Sequence, residues 1–553
     1  MGARVRALLA SVRQTVWMVR VLLRAGMIPL VRPDRYVRMI AVVRRGVTAT
    51  TGIALAAARA PRRTAFVDER GALTWAELDA GCDAFAVGLL SLTGGEPRTV
   101  AVLARNHRGF VHGLAGATRA GSDVLLLNTA FSGPQLRDVL VREQAAMVVY
   151  DQEFQGVVDR ATDGLEVAEV VAWVDDATAL AGRTTVDTLV DQHAGDRPGR
   201  PSRKGSVILL TSGTTGTPKG AKRGADGGAG ALAAMFDRIP WRAEETVVVA
   251  APMFHAWGFG QLAVAAATTC TVVTRRRFDP EATLALVEEH SATGLAVVPV
   301  MLERIIDLPD EVLDRYPCRS LRFATASGSR MRPDAVLAFM DRFGDVICNS
   351  YNATEAGLIS TATPADLRVA PDTAGRPVRG TTVRLLDDDL REVPTGEVGR
   401  ICVLSGSQFS GYTSGATKDF HGDYMVSGDV GRFDADGRLF VVGRDDDMIV
   451  SGGENVYPLE VEKTLDAHPE VHESAVVGVE DEAFGQRLAA YVVLRPGAGV
   501  DVDGLKAHVK AQLAGYKVPR DVVLLDELPR NATGKVMKRL LPTAAGGPGL
   551  AGS

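Results

Sequence analysis

Cysteine is scarce in this chain of 553 residues. Cys82, Cys270, Cys318, Cys348 and Cys402 are odd in number, scattered, and never spaced as C-x-x-C, which argues against a disulfide framework or a zinc site and fits a reducing cytoplasm. Charge of one sign is also missing. A net charge of −5, with 23% charged and 46% hydrophobic residues, is that of an ordinary globular protein and gives no global pull toward nucleic acid. No uninterrupted apolar run is long enough to cross a bilayer, because Arg20 and Arg24 break the stretch around Trp17 to Val31. The same breaks, and the lack of a clear cleavage site, argue against a secretory signal, and Arg6 stands where myristoylation needs Ser or Thr. No internal repeat is apparent.

Lysine is absent from residues 1–63, yet thirteen arginines lie there against one acidic residue, Asp34. Leu9, Val12, Val16, Val19 and Leu23 recur at helical spacing, with Arg6, Arg13, Arg20 and Arg24 on a neighbouring side. This predicts a basic amphipathic helix. Two settings remain open for it: docked on the protein's own body, or lying on an anionic membrane surface.

The length exceeds what one hydrophobic core serves, so at least two domains are expected. Beyond the leader, short Val/Ile/Leu/Ala runs at 99–103, 123–127, 146–150, 247–250, 271–274 and 295–298 alternate with helical patterns. Parallel α/β layering follows. From about Pro377 short strands and Gly/Asp turns predict an antiparallel or barrel-like section. After Arg444 a compact α+β piece is expected, with a helix over 459–468 and strands over 473–479 and 490–494. The Gly/Ala/Pro-rich tail 544–553 reads as disordered.

Residues 211–220 read Thr-Ser-Gly-Thr-Thr-Gly-Thr-Pro-Lys-Gly, directly after the apolar run 207–210. Glycines let backbone N–H groups turn toward an anion, hydroxyls donate further hydrogen bonds, and Lys219 adds a full positive charge. A flexible linker would not follow a buried strand or carry a fixed Pro-Lys-Gly. The Walker A pattern fails, since Gly220 follows Lys219 and the glycine spacing is wrong.

That string resembles the signature of the adenylate-forming superfamily: acyl-CoA synthetases, nonribosomal adenylation domains and luciferases. Four further motifs follow in the family's order. Tyr351-Asn352-Ala353-Thr354-Glu355 resembles Tyr-Gly-x-Thr-Glu, and Ser427-Gly428-Asp429 resembles Thr-Gly-Asp. Gly443-Arg444-Asp445-Asp446 leads into Ser451-Gly452-Gly453-Glu454-Asn455-Val456-Tyr457-Pro458, and Asn531-Ala532-Thr533-Gly534-Lys535 lies near the end. Asn352 replaces a glycine, Ser427 a threonine, and the usual Ser-His after Gly220 is absent. Asn tolerates left-handed backbone better than other side chains, so position 352 is expected to keep its turn.

The resemblance, most like bacterial fatty acyl-CoA synthetases, implies an α/β fold. A large N-terminal domain of two layered α/β subdomains plus a small β-barrel-like section is followed by a smaller mobile C-terminal α+β domain. The expected limits are a leader at 1–63, the large domain at 64–445, the small domain at 446–543 and a tail at 544–553. It further implies ATP, Mg2+ and coenzyme A as cofactors. Lys535 would bridge carboxylate and α-phosphate, Glu355 would bind magnesium, and Thr354 would contact phosphate. Thr211, Ser212, Gly213, Thr214, Thr215, Gly216 and Lys219 would cradle the triphosphate. Tyr351 would stack on adenine opposite Ser327 and Gly328; Asp429 and Arg444 would hold the ribose; His255 would border the acyl pocket. Gly452 and Gly453 would line the pantetheine passage, with Asp446 as hinge. The expected activity is ATP-dependent activation of a carboxylic acid through acyl-AMP to acyl-CoA, on a medium- to long-chain fatty acid, in the cytoplasm, with or without peripheral contact to the inner membrane face. Transfer to a separate carrier protein, and a non-catalytic membrane-associated acyl- or nucleotide-binding protein, are the alternatives.

Overall fold

The structure is a computed structural model that describes all residues except 1, 29–31, 45, 181, 212–218, 224–227, 407, 409, 410, 414, 416, 446, 452, 453, 482–484, 532, 533 and 543–553. The chain packs as two compact units, one of Met1–Val369, Val378–Thr381 and Ser405–Thr417, the other of Ala370–Pro377, Thr382–Leu404 and Lys418–Ser553.

The first unit opens on three helices, α1 (Gly2–Arg24), α2 (Pro33–Arg44) and α3 (Thr51–Arg59). The basic helix expected from the leader is α1. It docks on the protein's own body through buried Val21 and Leu22, and Ala25 just beyond it, while Val12, Val16, Val19 and Leu23 stay exposed. The strands that follow are β1 (Thr64–Asp68), β2 (Gly71–Thr74), β3 (Thr99–Leu103), β4 (Val124–Leu126), β5 (Ala145–Asp151), β6 (Ala168–Trp173), β7 (Val207–Thr211) and β8 (Lys219–Arg223). After them come β9 (Thr246–Val249), β10 (Thr271–Val273), β11 (Gly294–Val297), β12 (Phe323–Ala326), β13 (Ile347–Ala353) and β14 (Gly357–Ala362).

They form two sheets. One runs β6-β5-β3-β4-β7-β8, parallel except for the last pair. The other runs β14-β13-β12-β11-β9-β10-β1-β2, parallel from β13 to β1 with an antiparallel hairpin at each end. Parallel strands need crossover helices, which cover both faces and explain why the expected strands read as continuous apolar runs rather than alternating ones. Side chains such as Val248, Leu295, Val297, Phe339 and Ile347 close one core, and Leu125, Val148, Tyr150 and Leu136 another. All five cysteines are buried and unpaired, and burial pushes the Cys82, Cys318 and Cys348 thiols up to about 12.

In the second unit, a short β15 (Arg376–Pro377) precedes β16 (Thr381–Leu386), β17 (Gly399–Ser405), β18 (Phe420–His421), β19 (Tyr424–Phe433) and β20 (Leu439–Arg444). Of these, β16 to β20 give the antiparallel section foreseen from the turn residues, ordered β16-β17-β19-β18 with β20 also on β19. The α+β piece adds β21 (Ile449–Ser451), β22 (Glu454–Val456), β23 (Val471–Asp481), β24 (Gly485–Leu494) and β25 (Asp521–Leu525), with helices Pro458–Asp466 and Val502–Gln512 on one face. Antiparallel β16–β20 and this piece thus pack in one unit. Asp446, the expected hinge, lies outside the described residues, as does the tail 544–553.

Candidate active site

In open sheets of parallel strands, ligands bind beyond the carboxyl ends. Four of the singled-out segments leave that edge of the β9-containing sheet. His255 follows β9, Ser327 and Gly328 follow β12, Tyr351 lies near the end of β13 before Ala353 closes it, and Thr354 with Glu355 begins the turn between β13 and β14. The parallel register of β12 on β13, Ala326 opposite Asn349, brings Ser327 and the Tyr351 segment to the same level.

Position 352 corrects an expectation. Asn352 has no left-handed backbone; it lies extended in β13, where a register shift after Tyr351 lets its amide reach sideways and donate to the Ser327 Oγ at 2.9 Å. The left-handed turn falls instead on Gly357, with φ of 77°. Sequence reasoning assigned the right residue the wrong task, because a hydrogen bond to a serine 25 residues away leaves no local signal.

The glycine-rich stretch joins two paired strands. Thr211 ends β7 and faces Lys219, which starts β8, so the connecting loop is tied at both ends to the sheet. Ser212, Gly213, Thr214, Thr215 and Gly216 lie outside the described residues, as do the side chains of Thr211 and Lys219.

Tyr412, unnoticed in the sequence, links that loop's exit to the acidic turn. Its backbone bridges Ala221 in β8, and its hydroxyl donates to Glu355 Oε1 at 2.6 Å. Neighbouring Thr413 bonds the Gly220 carbonyl through its N–H at 2.8 Å. A phenol donor on one carboxylate oxygen leaves the second oxygen to accept from a ligand. Asn106, also unnoticed and buried, braces the loop before His255: its amide donates to the Ala251 carbonyl at 3.0 Å and accepts from the Met253 N–H at 2.8 Å. His255 itself caps the helix Ala256–Thr268, its Nδ1 accepting from the Trp257 N–H.

The second unit carries the other candidates. Asp429 on β19 sits directly opposite Arg444 on β20, and Arg444 Nη1 meets Asp429 Oδ1 at 3.3 Å. Gly428 holds φ of 85°, and a Cβ there would come within 3.0 Å of the Arg444 guanidinium, so the glycine makes room for the pair. Ser427 keeps the one feature its threonine counterpart would supply: its hydroxyl accepts from the Asp429 N–H at 3.1 Å. Burial, then the Asp445 and Asp388 carboxylates, raises the Tyr457 phenol above its ordinary range. Lys535 closes a tight turn in which its N–H donates to Asn531 Oδ1 and its carbonyl accepts from the Asn531 N–H, each at 2.9 Å. Its side chain is exposed and forms no ion pair with any described residue. Gly452 and Gly453 lie outside the described residues.

A mixed α/β fold with a large N-terminal and a smaller C-terminal domain, carrying a glycine-rich loop, an acidic hairpin turn and a late lysine in this order, defines an adenylate-forming enzyme. Residues 53–413 match the AMP-binding enzyme family and residues 460–535 its C-terminal domain, the second match ending on Lys535; the chain belongs to the AMP-binding enzyme family. It is similar to the indoleacetate–CoA ligase of Aromatoleum aromaticum, 31% identical over 490 residues that cover 86% of this chain and 94% of the relative. It is also similar to the fatty acid–[acyl-carrier-protein] ligase of Streptomyces coeruleorubidus, 28% identical over 494 residues, 87% of this chain and 93% of the relative. Among solved structures, the o-succinylbenzoate CoA synthetase of Bacillus subtilis with its acyl-adenylate superposes with a TM-score of 0.77 at 26% identity, covering 90% of this chain and 99% of that one. Adenylate-forming acid–CoA ligases use ATP, Mg2+ and coenzyme A.

Proposed function

We propose that this enzyme joins a medium- to long-chain fatty acid to coenzyme A in two half-reactions. The acid's carboxylate oxygen attacks the α-phosphorus of ATP, forming acyl-AMP as pyrophosphate leaves; the CoA thiolate then attacks the acyl carbon and AMP departs. Two anions must meet in the first step, so the site has to neutralise phosphate charge before oxygen can approach. The observation that carries the reading is the Tyr412 bridge, which fixes the Glu355 carboxylate beside the exit of the glycine-rich loop.

Glu355 suits Mg2+ as a hard oxygen donor. A hard divalent cation takes oxygen donors of this kind. That ion would supply charge neutralisation at the phosphates. Thr354 would donate to a phosphate oxygen, Tyr351 would offer its ring to adenine, and Asp429 would accept from the ribose hydroxyls with Arg444 holding its carboxylate in place. Lys535 would meet carboxylate and α-phosphate together.

The fatty acid is supported by the apolar helix after His255, which is rich in alanine over 263–267, and by the basic, apolar leader. An aromatic acid is the second reading, favoured by the indoleacetate named for one relative. The test is pyrophosphate release from MgATP across straight-chain acids of rising length and aromatic acids, each with and without CoA. Turnover on one chain-length class that requires CoA supports the proposal. Preference for aromatic acids selects the second reading, and adenylation without CoA-dependent turnover points to a carrier-protein acceptor.

A further inference from the structure

The α1 helix has two apolar sides, and the fold uses one. Val21, Leu22 and Ala25 are buried against the protein, with the Ala25 carbonyl accepting from the Ala243 N–H at 2.7 Å and Arg24 facing Asp237 on the helix Gly228–Arg238. The Arg379 guanidinium lies 4.6 Å above the Trp17 ring and bonds Gln14, which fixes the helix further along. At about 100° per residue, Val12, Val16, Val19 and Leu23 fall within roughly 60° of arc, on the side opposite Val21. All four are exposed, Val16 at 61%.

The α2 helix repeats the pattern. It buries no residue, and Val37 and Ile40 are 69% and 52% exposed, with Val43 exposed beside them. Twelve residues are too few for a helix to persist in water on propensity alone, so such a helix gains from a second surface. Around these apolar side chains stand Arg13, Arg20 and Arg44, none of which pairs with an acidic group among the described residues. Thirteen arginines and one aspartate in the leader, within a chain of net charge −5, also leave the remaining residues strongly acidic.

We propose that the exposed faces of α1 and α2 form a docking surface for an anionic lipid bilayer, on which the protein lies without crossing. No described helix is long and apolar enough to span. Charge selects this occupant. A second copy would set one arginine-rich face against another, whereas anionic headgroups attract it while repelling the acidic remainder, which orients the molecule leader-down. Valine and isoleucine would then enter the headgroup boundary with the guanidinium groups at phosphate level.

The test is co-sedimentation of the full-length protein with phosphatidylcholine vesicles, with and without phosphatidylglycerol, at low and raised salt. Binding that requires phosphatidylglycerol, falls several-fold with salt, and falls at least fivefold in Val16→Asp/Val19→Asp and in Arg13→Gln/Arg20→Gln supports the proposal. These side chains are exposed, and thermal unfolding unchanged from wild type shows that the variants fold. Equal binding by wild type and both folded variants overturns it, as does absence of phosphatidylglycerol-dependent binding. A dimer dissolved by Val16→Asp/Val19→Asp with no vesicle binding also overturns it, assigning the face to self-association.

Discussion

The candidate groups of the first unit and those of the second are held in different ways. In the first, three side chains lean on groups far away in sequence: Asn352 on Ser327, Glu355 on Tyr412, and Asn106 on the loop before His255. In the second, Asp429 and Arg444 meet through strand register, while Lys535 is tied to Asn531 through its backbone and its side chain stands in solvent. Asn352, Glu355 and Asn106 are thus held in place by the fold itself. The lysine keeps its rotamer freedom until a partner arrives, and ordering it costs about 1.5–2 kcal/mol that charge pairing has to exceed.

The largest effect is therefore expected at Lys535. Lys535→Ala should lower acid-dependent pyrophosphate release by 10²-fold or more, about 3 kcal/mol of lost transition-state stabilisation, while ATP affinity by calorimetry changes only a few-fold. Asn531→Ala, which loosens the turn but keeps the charge, should fall between wild type and Lys535→Ala. Activity within tenfold of wild type for Lys535→Ala would break the contrast, since the solvent-facing lysine would then add nothing to the chemistry.

A smaller effect is expected where the carboxylate is braced. Tyr412→Phe removes one hydrogen bond to Glu355 and leaves the ring, a change of about 1 kcal/mol. The KM for MgATP should rise about fivefold with kcat changed less, and the magnesium concentration for half-maximal rate should rise in parallel. A raised KM with no change in magnesium dependence would separate Tyr412 from the metal and leave it a brace for β8 alone.

What was legible in the sequence follows the range of the interaction. Strands such as 99–103 and 295–298 were readable because burial on both faces writes itself as a local apolar run. The ordered motifs were readable because glycines, hydroxyls and charges sit within a few residues of one another. Tyr412 and Asn106 were not, since their partners lie 57 and about 145 residues away and an isolated Tyr or Asn has no periodicity. The N-terminal helix was legible as basic and amphipathic, but not that one apolar side would be buried and the opposite one left open. Asn352 shows the limit most clearly: its tolerance of left-handed backbone was a sound inference about the residue and did not apply to the strand it occupies.

That residue also offers the finest test. If the Asn352 amide holds Ser327 at the edge of the site, Asn352→Gly loses a neutral hydrogen bond and adds backbone freedom inside a strand, together about 1–2 kcal/mol. Ser327→Ala loses the same bond from the other end, so the two changes should not add. A double-mutant cycle on unfolding free energy should give a coupling of about 1 kcal/mol, measured by chemical denaturation. Simple additivity would mean that the 2.9 Å contact contributes no net stability. The first unit would then owe its preformed edge to strand register alone, and the difference between the two units would narrow to the exposure of Lys535.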